Sequence, residues 1–257
     1  MISFNGIFEM FNGLLNQSKK LDLKFLPSQG VFYKDDFEIR IKKAKLEDII
    51  DYEQNFDKEN IYLVVESLKK IVRNNVILPK NYTIDDIKSV DTVYLFLEIV
   101  KFTQNKKINI DYFDETSQKN ETIEFSSQNF NYFDFHKHER DPKTAEILID
   151  GYRFSMPSIG IEHCLTHFLL KKIKLDQKSE WDTYSYDFLF FTGNKSNLTF
   201  EEMENLVIIF NFDLDKKEQE KISNIVNKFM KIVGYNLKKE DRIIDIKSKI
   251  NLEKIWK

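Results

Sequence analysis

Apolar positions along this chain recur with two periods, and the changes between them mark out its elements. Ile7, Phe8, Phe11, Leu14 and Leu15 are spaced by three or four, the pattern of an amphipathic helix, weakened by Asn5, Gly6, Asn12 and Gly13. Two readings stay open for this segment: a helix docked on the core, or an arm that docks on a partner. Leu26-Pro27-Ser28-Gln29-Gly30 is a turn signal. It precedes two strand-like runs, Val31-Phe32-Tyr33 and the alternating Phe37-Glu38-Ile39-Arg40-Ile41. Helical spacing follows over Lys45–Asn55, and again from Ile61 to Val72 behind a candidate N-cap, Asp57. Pro79 closes that region, Thr83–Asp86 opens a short helix, and Ser89 is placed to cap a longer one through Phe102. This last helix is apolar nearly all round, which predicts burial on several sides.

From Lys107 to Met156 the period drops to two. Ile108–Phe113 and Glu121–Phe125 alternate, followed by Asn131–Phe135, Glu146–Ile149 and Tyr152–Met156, with a turn at Asp150-Gly151. The pattern predicts a small antiparallel sheet of two hairpins. Helical spacing then returns. Ser158 caps a helix to about Leu175, and Trp181–Phe191 reads as another. Thr199-Phe200-Glu201-Glu202 is a capping box for a helix through Phe210. Asp215, with Glu218 three residues on, opens a helix from Lys216 to Val233 that Gly234 stops. Arg242–Ile246 is a candidate strand. The expected class is α+β: helical halves flanking a small antiparallel insertion, with an amphipathic N-terminal extension. The expected segments are 1–25, 26–105, 106–157 and 158–257.

Composition narrows the functional classes. Of the 257 residues, 42% are hydrophobic, and 23 Phe with 11 Tyr make an unusually aromatic core. Seven Gly and four Pro leave little material for Gly-rich ligand loops or long linkers. The 39 Lys and Arg against 42 Asp and Glu lack the basic excess that phosphate neutralisation demands, so nucleic acid is not an expected partner. One cysteine, Cys164, leaves no internal disulfide and no four-cysteine zinc site. No secretory leader and no apolar run of membrane-spanning length is visible, so cytoplasmic residence without membrane association is expected.

Candidate chemistry is sparse. His163 and His167 share a helix face at a spacing that chelates metal, with Glu162 and Cys164 alongside and His136 and His138 in the predicted sheet. Two ligands are too few for a closed site, and the glutamate precedes the first histidine instead of following it. A packing or surface role is the simpler account of the pair, so no metal and no cofactor is expected. His163 neighbours Cys164 on the helix and points about 100° away, so it is not the base of a thiol nucleophile. No G-x-S-x-G, phosphate loop or G-x-G-x-x-G occurs. Paired carboxylates such as Asp85-Asp86 and Glu201-Glu202 sit at helix starts, where they complement the helix dipole. Phe130, Tyr132, Phe133 and Phe135 before a His-Lys-His-Glu-Arg run invite a base-stacking reading, against that of a half-buried strand. No catalytic residues are expected.

The segment Leu26-Pro27-Ser28-Gln29-Gly30-Val31-Phe32-Tyr33, followed by the Ile39–Ile41 strand and a helix carrying Asp48, resembles the opening of the baseplate hub proteins of T-even-like, contractile-tailed phages. The order of helices, small β insertion, Phe154-Ser155-Met156-Pro157-Ser158 and C-terminal helices extends the likeness from about Leu26 to Val233. The first block alone is a sharp motif. Many members of that family carry paired cysteines in the insertion as a zinc ribbon, and the corresponding turn here, Asp111–Asn120, has none. The resemblance implies a ribbon shape held by Ile110, Tyr112, Ile123 and Phe125. It also implies a non-enzymatic role in an oligomeric hub assembly, with other phage tail and baseplate hub proteins as partners. That places the chain in the host cytoplasm during assembly, and in the virion tail baseplate if it is retained. An assembly chaperone that leaves before completion is one alternative, and a metal-dependent enzyme centred on His163 and His167 is another, from a different class. The candidate contact residues are Ile7, Phe8, Phe11, Leu14 and Leu15 in the arm, and Pro27, Gly30, Phe32 and Tyr33 in the turn. For the turn, the competing account is that Pro27 and Gly30 bend the chain while Phe32 and Tyr33 fill the core.

Overall fold

The structure is a computed structural model that describes residues 18–55, 61–114, 117–126, 134–176, 185–233, 236–239, 242–245, 250–252 and 255–256. The five apolar residues of the N-terminal segment, Ile7 to Leu15, lie outside these, as do Asp57, Phe130–Phe133, Trp181 and Gly234. Described elements begin with β1 (Ser18–Lys20), which pairs antiparallel with β2 (Arg40–Lys42); β2 in turn pairs with β3 (Val76–Ile77). Between β2 and β3 run α1 (Leu46–Asn55) and α2 (Ile61–Asn75). A short 3-10 turn at Ser89–Asp91 leads into α3 (Thr92–Gln104), whose residues from Thr92 to Val100 are all buried, as its continuous apolar run predicts.

The insertion forms two sheets where a single one is expected. β4 (Asn109–Asp114) and β5 (Lys119–Glu124) make a hairpin in strict register, Ile110 facing Ile123, and β11 (Ile250–Asn251) adds to its β4 edge. A second sheet holds β6 (Glu139–Arg140), β7 (Ile147–Ile149) and β8 (Tyr152–Phe154), the last two joined by the expected Asp150–Gly151 turn. The remaining helices are α4 (Ile159–Asp176), α5 (Phe200–Ile208) and α6 (Lys216–Val233), followed by the β9 (Asn236–Lys239) and β10 (Arg242–Asp245) hairpin. The capping box on α5 is present in both directions: the Glu202 amide donates to Thr199 Oγ1 at 3.2 Å and the Thr199 amide to Glu202 Oε2 at 2.8 Å. The α5 helix runs on into a π turn, Ile209–Asp213, which presents Phe212 at 63% exposure beside the exposed Ile208 and Ile209. The 187–191 stretch is a 3-10 turn and not an α-helix.

Two hydrophobic clusters make the interior. The first collects Leu26, Tyr33, Ile39, Ile41, the α1–α3 side chains, and Ile110, Tyr112, Ile123 and Phe125 of the β4–β5 hairpin. The second gathers Val31, Phe32, Phe135, Ile147, Phe154, Phe168 and the inner faces of α5 and α6. These clusters cut across the expected segments, because the first hairpin packs on one and the second hairpin on the other. The chain end is tied in as well: Tyr52 stacks on Phe96 and its hydroxyl donates to the Leu252 carbonyl at 3.0 Å.

Candidate functional site

Residues Leu26 to Tyr33 lie between the clusters and contribute to both. Leu26 and Tyr33 belong to the first, Val31 and Phe32 to the second. Val31–Tyr33, expected as a strand, instead continues the turn. The carbonyls that a strand partner would take are satisfied by one side chain. Arg140 donates from Nε to the Val31 carbonyl at 2.7 Å and from a terminal nitrogen to the Tyr33 carbonyl at 2.6 Å, and it pairs with Asp35 at 3.0 Å. Gln29 Oε1 accepts the Phe135 amide. Gly30 adopts φ +73°, and a Cβ there would stand 2.8 Å from that of Leu23, so both conformation and space require glycine.

As candidate contact residues, Pro27, Phe32 and Tyr33 are therefore corrected in one respect. Pro27 is buried, Phe32 is 0% exposed, and Tyr33 is 3% exposed, so these side chains offer no outward surface; Gly30 is half-buried. Phe32 meets the rings of Phe135 and Phe154 edge-on at 5.0 and 5.8 Å, contacts worth roughly 0.5–1.5 kcal/mol each beyond their burial.

Polar groups beneath the turn form a closed network. Asp91, entirely buried at the N-cap position of α3, accepts the Ser28 amide on Oδ1 at 2.9 Å. Its Oδ2 accepts the Ser28 and Tyr33 hydroxyls, both at 2.7 Å. The Tyr33 oxygen in turn accepts the Lys88 amide at 2.9 Å. Burial pushes the Asp91 carboxyl up to about 6, against the pull of the three donated hydrogen bonds, and pushes the Tyr33 phenol well above its ordinary value. Three donors aim at the carboxylate, which is mainly ionised at neutral pH.

Lys88 is 2% exposed. Its ammonium donates to Asn194 Oδ1, and Asn194 donates back to the Phe32 carbonyl at 3.1 Å. Burial pushes Lys88 down to about 8, with Asp91, Asp86 and Glu146 acting in the opposite sense. At neutral pH it is mainly a cation. Asn194 is held in turn by the close approach of the 194–198 loop to α4. A Cβ on Gly160 would fall 2.0 Å from the Ser196 carbonyl oxygen, so only glycine lets the helix lie against this loop.

The histidine pair is not drawn into this region. His163 and His167 are exposed on α4, His136 is exposed, and His138 sits edge-on to Phe229. No group of three His, Cys, Asp or Glu side chains able to hold a metal occurs among the described residues. Cys164 is half-buried, with its sulfur 3.1 Å from Asn197 Oδ1. Phe135 is fully buried and presents no face to a nucleobase. Among the described residues no helix is long and apolar enough to cross a membrane.

Lys88, Asp91 and Asn194 escaped sequence reasoning. A lone lysine or aspartate before a helix reads as a solvated end, and the one available signal was Asp91 standing directly before nine buried residues. No protein family, curated protein or solved structure matches the chain.

Proposed function

We propose that the chain is a non-enzymatic component of the baseplate hub of a contractile-tailed phage, acting through protein–protein contacts during tail assembly. The observation that carries this reading is the Leu26–Tyr33 block. The residues that resemble the hub family are also those that join the two clusters, so the motif has an architectural reason to exist in this sequence. In this reading the β4–β5 hairpin is the counterpart of the family's zinc ribbon, with Ile110, Tyr112, Ile123 and Phe125 packed in place of a metal. Contact with other hub proteins falls to outward apolar groups, of which Ile208, Ile209 and Phe212 form one set, and to the N-terminal segment. The work is done in the host cytoplasm, with retention in the virion baseplate.

Quantitative mass spectrometry of purified particles against infected-cell lysate tests the proposal. A fixed, low copy number relative to the tail proteins is the expected result. Presence in lysate with absence from particles converts the reading to an assembly chaperone. Absence of the chain from phage-infected cells overturns both.

A further inference from the structure

Lysine carries three N–H donors. Among the described residues, the Lys88 ammonium makes one hydrogen bond, to the neutral oxygen of Asn194, and no ion pair within 4.0 Å. The carboxylates that act on it, Asp91, Asp86 and Glu146, have other partners. Asp91 is taken by Ser28 and Tyr33, Asp86 accepts the Thr83 amide at 2.7 Å, and Glu146 lies 3.9 Å from Arg153. A buried cation with two donors to spare is costly unless something satisfies them.

Lys88 and Asn194 line a cavity of about 70 Å³. Since roughly 10–15 Å³ of such space admits one water, it accommodates a group of a few heavy atoms. Its walls also carry Lys34, Lys195, Ser196, Tyr82 and Asp86. The lining carries three lysines and one aspartate, while Asp91 and Glu146 also act on Lys88 from outside it. Lys34 and Lys195 are exposed, and Lys195 is 3.7 Å from Glu202. The Tyr82 hydroxyl donates to Asp36. Size and donor chemistry agree: the space fits a small group whose oxygens accept from an ammonium.

We propose that Lys88 is the base of a subsite for one small oxyanion, held by the ammonium's two remaining donors and drawn in by Lys34 and Lys195. The oxyanion is either a free ion of phosphate size or a carboxylate that a partner protein presents. The subsite stands on the cavity alone and does not depend on the hub reading.

Thermal melting of the purified full-length protein in sodium phosphate, sodium acetate or sodium chloride, at matched ionic strength and pH 7, tests it. Phosphate or acetate is expected to raise the melting temperature by several degrees over chloride, as a ligand of the native state does. The rise is expected to vanish in Lys88→Met. A rise with phosphate points to a free ion; a rise with acetate alone points to a side-chain carboxylate. Lys34→Ala/Lys195→Ala, on exposed side chains, is expected to fold normally and weaken the apparent affinity at least several-fold. It decides the matter if Lys88→Met does not fold. No rise over chloride, an equal rise in Lys88→Met, or unchanged affinity in the double variant overturns the site.

Discussion

Ser28 and Asp91, 63 positions apart, meet twice: the Ser28 amide donates to one carboxylate oxygen of Asp91 and the Ser28 hydroxyl to the other. With Tyr33 completing the set, the start of α3 is fastened to the Leu26–Tyr33 turn by three bonds to one buried charge. Replacing that charge with an amide puts an NH2 donor where an acceptor oxygen faced donors. Asp91→Asn is expected to lose about 3 kcal/mol, since a buried network broken on one side leaves its remaining groups unpaired. Denaturant unfolding checks this; a loss under about 1 kcal/mol is what an exposed aspartate would give.

The same carboxyl sets a pH dependence. Its value in the fold, about 6, lies above the ordinary 3.8, so the folded chain binds this proton more tightly than the unfolded one. The contribution of Asp91 to stability is therefore greatest below 3.8 and is lost as pH rises through about 6, with a slope of at most about 1.4 kcal/mol per pH unit. Lys88 has the opposite displacement, from 10.5 to about 8, so the unfolded chain holds its proton longer and stability rises with pH from about 8 to 10.5. Between about 6 and 8 both are charged and neither contributes a slope. Stability measured against pH in the wild type, Asp91→Asn and Lys88→Met should show the acid limb absent from the first variant and the alkaline limb absent from the second.

Gly160 offers a sharper test of packing. Alanine is favoured over glycine within a helix by about 1 kcal/mol. Here the added carbon would meet a backbone oxygen at 2.0 Å and Asp85 Cβ at 2.7 Å, and a backbone atom has little freedom to retreat. Gly160→Ala is expected to cost about 2–3 kcal/mol despite its better propensity. A stabilised variant would mean that the 194–198 loop does not lie against α4.

Truncation decides between the two readings of the N-terminal segment. Ser18–Lys20 is a strand on β2, and Lys19 reaches the nearly buried Glu98 at 2.7 Å. Removing residues 1–20 is expected to lower the melting temperature, because it strips β1 from β2 and leaves Glu98 without this cation. If residues 1–17 are a docking arm, removing them leaves the melting temperature unchanged; a lowered melting temperature assigns them to the core. If the segment docks on a hub partner, that shorter truncation loses binding in a pull-down while keeping its fold.

Local signals in the sequence translated well. The Thr199–Glu202 capping box, the Asp150–Gly151 turn, the alternating hairpin strands and the all-apolar α3 each depend on residues within a few positions of one another. The site did not translate, because its bonds are long in sequence: Asp91 to Tyr33 spans 58 positions and Lys88 to Asn194 spans 106. The Val31–Tyr33 error has a similar origin. Three large apolar residues in a row fit a strand by propensity, and only a distant arginine supplying donors to two carbonyls lets them stay in a turn. The single sheet expected for the insertion became two because its hairpins pack on different clusters, a choice no hairpin makes alone.

A turn whose side chains are shared between two cores also governs how the molecule comes apart. Melting β8 and α6, which carry Phe154 and Phe229, would strip the cover from Val31 and Phe32, and melting α3 would release Asp91 from the same eight residues. Neither half retains its anchor when the other leaves. The pieces are therefore coupled thermodynamically, and a single cooperative transition follows from where one short loop places its aromatic rings.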